Sequence, residues 1–188
     1  MTGPRLVTVR QGAQCLVEGG VIAYPTEAVY GLGCDPDNES AVRSILRLKN
    51  RPESAGLILI ADRLERFAAY IGAVSGEQKH CALETWPGPV TWLFPRARTV
   101  PDWLAGTHST IALRITAHPV CRALCEAFGG AIVSTSANPS AAEPARSAAQ
   151  VDAWFGTELC GIVDGELGDQ SRPSEIRDLA TGQVIRSG

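Results

Sequence analysis

Short apolar segments alternate with segments of helical periodicity along this chain, and that alternation restricts the possible folds more than any other feature. Buried strands are predicted at 21–24, 57–60, 90–94, 109–116 and 131–136. Helices are predicted at 8–18, from Asn38 to about Lys49, after Asp62, after Ser75 and at 118–128. Two pairs of strands have no helix between them, whereas parallel neighbours need a crossover connection. We therefore predict a single α/β domain over residues 1–188, with a mixed sheet.

Residues typical of helix ends support these boundaries. Gly19-Gly20 should end the first helix, because glycine adopts the left-handed cap conformation easily, and Asn38 suits an N-cap. Segments 62–65 and 75–78 place Glu or Gln three positions after Asp or Ser, which resembles a capping box. After a Pro-, Ala- and Ser-rich loop, 139–148, we predict a short helix containing Trp154 and Phe155, and strands near 161–164, 175–179 and 183–186.

Charge and apolar patterning argue against two classes of protein. The formal net charge of -3 argues against a protein that coats nucleic acid through bulk charge, because nucleic acid is itself negative. A local basic cleft is compatible with this net charge. No apolar run reaches the length of a membrane span, and MTGPRLVTVR lacks the apolar stretch of a signal peptide. We therefore expect a cytoplasmic protein that makes no membrane contact.

The cysteines and histidines show no spacing typical of metal ligands. No C-x-x-C occurs among the six cysteines, at 15, 34, 81, 121, 125 and 160. We expect reduced thiols in the core rather than disulfides or a metal site. The histidines at 80, 108 and 118 are scattered, so no built-in metal site is predicted.

The segment AYPTEAVYGLGCD, residues 23–35, directly continues a predicted strand. It has neither a phosphate-loop lysine nor the spacing G-x-G-x-x-G, and a lone G-x-G is equally consistent with a tight turn. We expect Pro25 and Thr26 to end the strand at a pocket. Gly31 and Gly33 would then let the backbone pass close to a small ligand.

Four basic residues lie close together in RSILRLKNRPES. Arg43 and Arg47 fit the exposed C-terminal turns of a helix, where cations complement the helix dipole. Pro52 disfavours helical geometry at the preceding residue, so the chain should become extended there. Lys49 and Arg51 would then point the same way and grip a polyphosphate together, although solvated surface cations remain the alternative.

Polar side chains also follow or interrupt apolar strands further along. In VSTSANPS, Ser134, Ser136 and Asn138 alternate at a strand's carboxyl end, where α/β sheets bind ligands, although an ordinary polar loop has the same composition. Arg114, in the apolar strand TIALRI, requires an anionic partner, which is equally a structural acid or a substrate carboxylate. Arg186, near the end of the sequence, is most simply a solvated side chain.

Several of these segments form an ordered set of blocks: AYPTEAVYGLGCDP, LKNRP followed by GLILI, WPGPVTWLFP, ALRITAHP, VSTSANPS and PSEIRD. Together they resemble the YrdC/TsaC family of threonylcarbamoyl-AMP synthases over nearly the whole chain. The resemblance implies a twisted mixed sheet flanked by helices, with a concave basic cleft. It also implies synthesis of L-threonylcarbamoyl adenylate and pyrophosphate from L-threonine, bicarbonate or CO₂, and ATP. The product would serve threonylcarbamoylation of adenosine 37 in tRNA.

The same resemblance implies roles for ten residues. Lys49 and Arg51 would be catalytic; Thr26, Arg114, Ser134 and Ser174 would bind threonine; and Lys49, Arg51, Thr110, Ser136, Asn138 and Arg186 would bind ATP. Mg²⁺ would arrive with ATP rather than in a dedicated site. Implied partners are a tRNA threonylcarbamoyl transferase complex, which would receive the product, and RNA, bound weakly. Longer relatives carry an additional C-terminal domain, so this sequence resembles the short form.

Two other functions remain open from the sequence. One is an RNA-binding module with a basic cleft, although no RGG, RRM or KH motif is present. The other is a related enzyme that adenylates a different carbamoyl donor, as this domain does within hydrogenase-maturation proteins.

Overall fold

Within residues 3–140 and 142–188, which the computed structural model describes, ten strands form one mixed sheet. The strands are β1 Leu6–Val7, β2 Ile22–Pro25, β3 Tyr30–Gly33, β4 Ile58–Ala61, β5 Val90–Pro95, β6 Thr110–Ile115, β7 Ile132–Ser136, β8 Gly161–Val163, β9 Glu175–Asp178 and β10 Val184–Arg186. The helices are α1 Val9–Val17, α2 Glu39–Leu48, α3 Gly76–Leu83, α4 Asp102–Ala105, α5 Pro119–Phe128 and α6 Ala148–Phe155. The described residues leave out Met1, Thr2 and Ala141. The first two residues of the predicted domain and one position of the predicted 139–148 loop therefore lie outside them.

The strand order is β1-β8-β2-β3-β7-β4-β6-β5-β9-β10, with both parallel and antiparallel neighbours. β4 pairs parallel with β6 and antiparallel with β7, so the central part of the sheet is mixed, as predicted. β3 was not predicted as a strand, because its two glycines have low strand propensity. Pairing with β2 on one side and β7 on the other overrides that local preference.

Helices cover both faces of the sheet. Consecutive residues of β4 point in opposite directions, with Leu59 in one apolar cluster and Ile60 in the other. Ile60 packs in the cluster that contains Leu16 of α1 and Leu124 of α5, whereas Leu59 shares its cluster with Ile45 of α2. Each of these side chains is fully buried, which stabilises the fold by roughly 1.5–3 kcal/mol per side chain.

Three of the four predicted helix-end signals are confirmed. Asn38 caps α2 by accepting a hydrogen bond from Ala41 N, and Ser75 caps α3 in a capping box with Gln78. Gly19, just after α1, has φ +78°. The prediction for 62–65 is wrong: a 3₁₀ turn spans Leu64–Phe67, and the Asp62 carboxylate instead accepts hydrogen bonds from neighbouring arginines. Ion pairing therefore replaces capping at that position.

The expectation that all cysteines are reduced is wrong for one pair. Cys15 near the end of α1 and Cys160 before β8 form a disulfide, with Cα atoms 5.9 Å apart. They are 145 positions apart in sequence, so only the packing of α1 beside β8 brings them together. Cys34, Cys121 and Cys125 are buried free thiols, and burial raises the pKa of Cys125 to about 12. In the described part of the chain, no helix has both the length and the apolar character needed to cross a membrane.

Candidate substrate-binding cavity

A cavity of about 510 Å³ lies where the turn after β2, the end of β7 and the segment before β9 meet. Its size is within the range of small-molecule sites. Eight of the ten residues implicated by sequence line it: Thr26, Arg51, Thr110, Arg114, Ser134, Ser136, Ser174 and Arg186. The other two, Lys49 and Asn138, are not in the lining, but both contact Ser136.

Lys49 points at protein oxygens rather than into the cavity. Its side chain leaves the end of α2, and the residue is only 8% exposed. Its Nζ donates to Ser136 O at 2.5 Å and to Asn138 Oδ1 at 2.8 Å. Burial and the nearby Arg51 lower the pKa of Lys49 to about 8. The ammonium therefore links α2 to the polar end of β7.

Arg51 takes a different direction from Lys49. Lys49 and Asn50 do not form the extended run that would make Lys49 and Arg51 point the same way, because Lys49 is helical and Asn50 is left-handed, with φ 47°. Arg51 instead lines the cavity and donates from Nη2 to Gly56 O at 3.0 Å. Burial lowers the pKa of Arg51. Lys49 thus contacts the end of β7, whereas Arg51 lines the cavity.

Two of the three hydroxyls predicted to bind threonine, those of Thr26 and Ser174, already have partners in the protein. Thr26 Oγ1 donates to Val29 O at 2.7 Å, so its single proton is used and its lone pairs remain to accept from a ligand. Ser174 Oγ lies 3.0 Å from Oγ1 of Thr91, which is fully buried on β5. Internal hydrogen bonds therefore fix the orientation of both hydroxyls before a substrate binds.

Arg114 has the structural acidic partner that the sequence left open. Its Nη2 lies 3.3 Å from Oε2 of Glu27, and both side chains are nearly buried. Arg114 Nε has no hydrogen-bond partner among the described residues and is enclosed by protein, so a ligand would be met by the terminal nitrogens of the guanidinium. Arg114 also lines the cavity. The salt bridge and a ligand-facing position are therefore compatible.

Arginines outnumber acids in the cavity lining. The lining contains two glutamates, Glu27 and Glu143, and five arginines, at 51, 114, 146, 172 and 186. Arg186 is exposed, as expected, but it also lines the cavity and donates to Ser174 O at 2.8 Å. Burial and the neighbouring charges of Arg51 and Arg114 lower the pKa of Arg186. Sequence reasoning missed Arg146 and Arg172, which lie in irregular segments where no periodic pattern marks them.

A side chain at Gly31 and a side chain at Gly33, the two glycines of β3, would meet different neighbours. A Cβ on Gly31, which lines the cavity, would lie 3.2 Å from Thr26 Cγ2. A Cβ on Gly33 would lie 2.6 Å from Val133 O and 2.7 Å from the Tyr24 ring, and Gly33 does not line the cavity. The expectation of close approach to a ligand is therefore wrong for Gly33, where the backbone makes room for a buried tyrosine.

Known proteins are similar to this chain in both sequence and shape. The Sua5/YciO/YrdC family model, described as telomere recombination, matches residues 14–188. A threonylcarbamoyl-AMP synthase of Halorhodospira halophila is 52% identical over 184 residues, which are 98% of this chain and 96% of that protein. One of Cellvibrio japonicus is 49% identical, over 95% of this chain and 94% of the relative.

Two solved structures have the same fold. P. abyssi Sua5 complexed with L-threonine superposes with a TM-score of 0.86 at 32% identity, over 94% of this chain. The match spans 52% of that Sua5 chain, so this protein corresponds to about half of its length. E. coli YciO superposes with a TM-score of 0.84 at 26% identity, over 98% of this chain and 92% of YciO.

These matches confirm the predicted resemblance, the α/β fold with a mixed sheet, and the nucleotidyltransferase class of enzyme that the resemblance implied. They cover the elements that build the cavity as well as the rest of the sheet. The chain therefore belongs to the Sua5/YciO/YrdC family.

Proposed function

We propose that this protein makes L-threonylcarbamoyl adenylate and pyrophosphate from L-threonine, bicarbonate or CO₂, and ATP. The observation that carries the proposal is the cavity, in which eight of the implicated residues meet and five arginines face two glutamates. An excess of guanidinium groups suits a triphosphate and a carboxylate bound side by side. The product would support modification of adenosine 37 of tRNA in the cytoplasm, after transfer to a threonylcarbamoyl transferase complex.

The reaction requires positioning and charge neutralisation more than covalent help from the protein. Threonine's amine adds to CO₂ and loses a proton, giving a carbamate. A carbamate oxygen then attacks the α-phosphorus of ATP, the bond to the bridging oxygen breaks, and pyrophosphate leaves. Negative charge moves onto the leaving group, where arginine donors stabilise it.

The geometry distributes these tasks among the lining residues. Arg51 and Arg186, which lie near each other at the cavity, would hold the phosphates. Arg114 would bind the threonine carboxylate, and Ser134 and Ser174 its other polar atoms. Thr26 would accept a hydrogen bond from the substrate, since its own proton is donated to Val29 O.

The nucleotide-binding side of the cavity would be formed by the start of β6 and the end of β7. Thr110 and Ser136 line the cavity there, and Asn138 is hydrogen-bonded to Ser136 Oγ at 2.7 Å. Lys49 would supply positive charge while its hydrogen bonds hold these two residues in place. We propose that Mg²⁺ binds through the ATP phosphates, since no group of three potential metal ligands occurs among residues 3–140 and 142–188.

Pyrophosphate release by the purified protein tests this proposal. The assay contains MgATP and adds L-threonine and bicarbonate separately and together, with a parallel reaction in which EDTA removes Mg²⁺. Release only with both substrates present, and its loss with EDTA, is the expected result. Release with one substrate or neither would indicate a different adenylation, and no release under any condition would reject the synthase assignment.

A further inference from the structure

Glu27 connects two parts of the cavity wall that are not neighbours in the sheet. It lies in the turn after β2, whereas Arg114 lies on β6, and three strands separate β2 from β6 in the sheet order. One carboxylate oxygen, Oε1, accepts from Thr116 Oγ1 at 2.7 Å and from Ala117 N at 3.3 Å. The other, Oε2, lies 3.3 Å from Arg114 Nη2. The carboxylate is thus anchored on one side and faces the arginine on the other.

The orientation of Arg114 depends on this contact. In the described part of the chain, Arg114 Nε has no hydrogen-bond partner, and Glu27 is the ion-pair partner of the guanidinium. Both side chains are close to nine-tenths buried, at 10% and 12% exposed. Burial raises the pKa of Glu27, but Arg114 and the Thr116 hydroxyl lower it by more, so its pKa ends below the ordinary value. Glu27 therefore stays ionised and attracts the guanidinium at neutral pH.

We propose that Glu27 is a positioning residue, which sets the direction of Arg114 so that its remaining donors receive the carboxylate of the amino-acid substrate. This inference rests on the proposed function for the role of Arg114. Glu27 Oε2 and Arg114 Nε are both enclosed by protein, so Glu27 acts through Arg114 rather than on the substrate. A guanidinium without this partner would keep its charge and lose its fixed direction. Binding of the carboxylate would then weaken, while binding of ATP would not.

The test compares Glu27→Gln with Glu27→Asp and with a matched control. Asp62→Asn is the control, because Asp62 is also a nearly buried carboxylate, 9% exposed, that pairs with an arginine but does not line the cavity. Glu27→Gln should raise the KM for L-threonine about tenfold or more and leave the KM for ATP within about twofold. Glu27→Asp, which keeps the charge, should show a smaller rise. Asp62→Asn should lower stability to urea without changing either KM.

An NMR spectrum of the arginine side chains separates failure of this inference from failure of the proposed function. The Arg114 Nε–H signal, assigned by its loss in Arg114→Lys, should shift in Glu27→Gln and not in Asp62→Asn. An unshifted signal, or equal changes in both KM values, would overturn the role of Glu27. If the wild type releases no pyrophosphate, the proposed function fails, and calorimetric titration with L-threonine decides on Glu27 instead. Equal affinity of Glu27→Gln and wild type there, or no threonine binding by the wild type, would overturn the inference.

Discussion

The buried ammonium of Lys49 gives a quantitative prediction about stability and pH. In the folded protein its pKa is about 8, compared with an ordinary value of 10.5, because burial and Arg51 disfavour the charged form. The oxygens of Ser136 and Asn138 that accept from Nζ favour the charged form. Their effect does not offset burial, so the folded protein binds this proton more weakly than the unfolded chain does.

The sign of the effect follows from which state holds the proton. Between pH 8 and 10.5 the unfolded chain keeps the Lys49 proton while the folded protein loses it, so the free energy of unfolding rises with pH. The slope is at most about 1.4 kcal/mol per pH unit, and the rise over the window is about 3 kcal/mol. Below pH 8 both states are protonated, and the charged lysine lowers stability by that full amount.

Urea unfolding of the wild type and of Lys49→Met, at intervals from pH 7 to 10.5, measures this effect. The difference in free energy of unfolding, wild type minus Lys49→Met, isolates Lys49. Buried Tyr24 and Cys125 have raised pKa values and contribute with the opposite sign, but they are present in both proteins and cancel. We expect the difference to increase by about 3 kcal/mol between pH 8 and 10.5.

A difference that stays flat over this range would refute the reasoning. It would mean that the Ser136 and Asn138 oxygens fully offset the burial of the ammonium. MgATP gives a second check, because phosphates bound close to Lys49, as proposed, would favour the charged form of its ammonium. At saturating MgATP, the rise in the free energy of unfolding that Lys49 causes should therefore occur at higher pH in the wild type. Lys49→Met should show no such shift.

Three further predictions address the cavity and the disulfide. Arg51→Ala should reduce pyrophosphate release by about 100-fold or more, because it removes the proposed charge-assisted contact in the transition state; release at the wild-type rate would contradict the role of Arg51. Thr91→Val removes the hydroxyl 3.0 Å from Ser174 Oγ, so the KM for threonine should rise several-fold with the KM for ATP unchanged, and equal changes in both would reject the link. Cys15→Ser should lower the free energy of unfolding by about 2–4 kcal/mol in urea. Reductant should lower the free energy of unfolding of the wild type by the same amount. Cys81→Ser is the matched control, because Cys81 is an exposed free thiol. Equal free energies of unfolding for Cys15→Ser and the wild type would argue against the disulfide.

The sequence predicted those features that depend on neighbouring residues. The caps at Asn38 and Ser75 form within one helical turn, so their spacing alone indicates them. Ser134 and Ser136 share one side of β7 because side chains alternate along a strand, and both line the cavity. The order of the sequence blocks was enough to indicate the family.

The tertiary structure decided every feature that joins distant segments. The direction of Lys49, the disulfide between Cys15 and Cys160, and the contact of Glu27 with Arg114 each join residues between 87 and 145 positions apart. β3 is a strand because β2 and β7 lie on either side of it, not because Tyr30–Gly33 prefers to be extended. Local spacing fixes which side chains share a face, whereas strand order and burial fix which faces meet, and the free energy of those long-range contacts is absent from any short stretch of sequence.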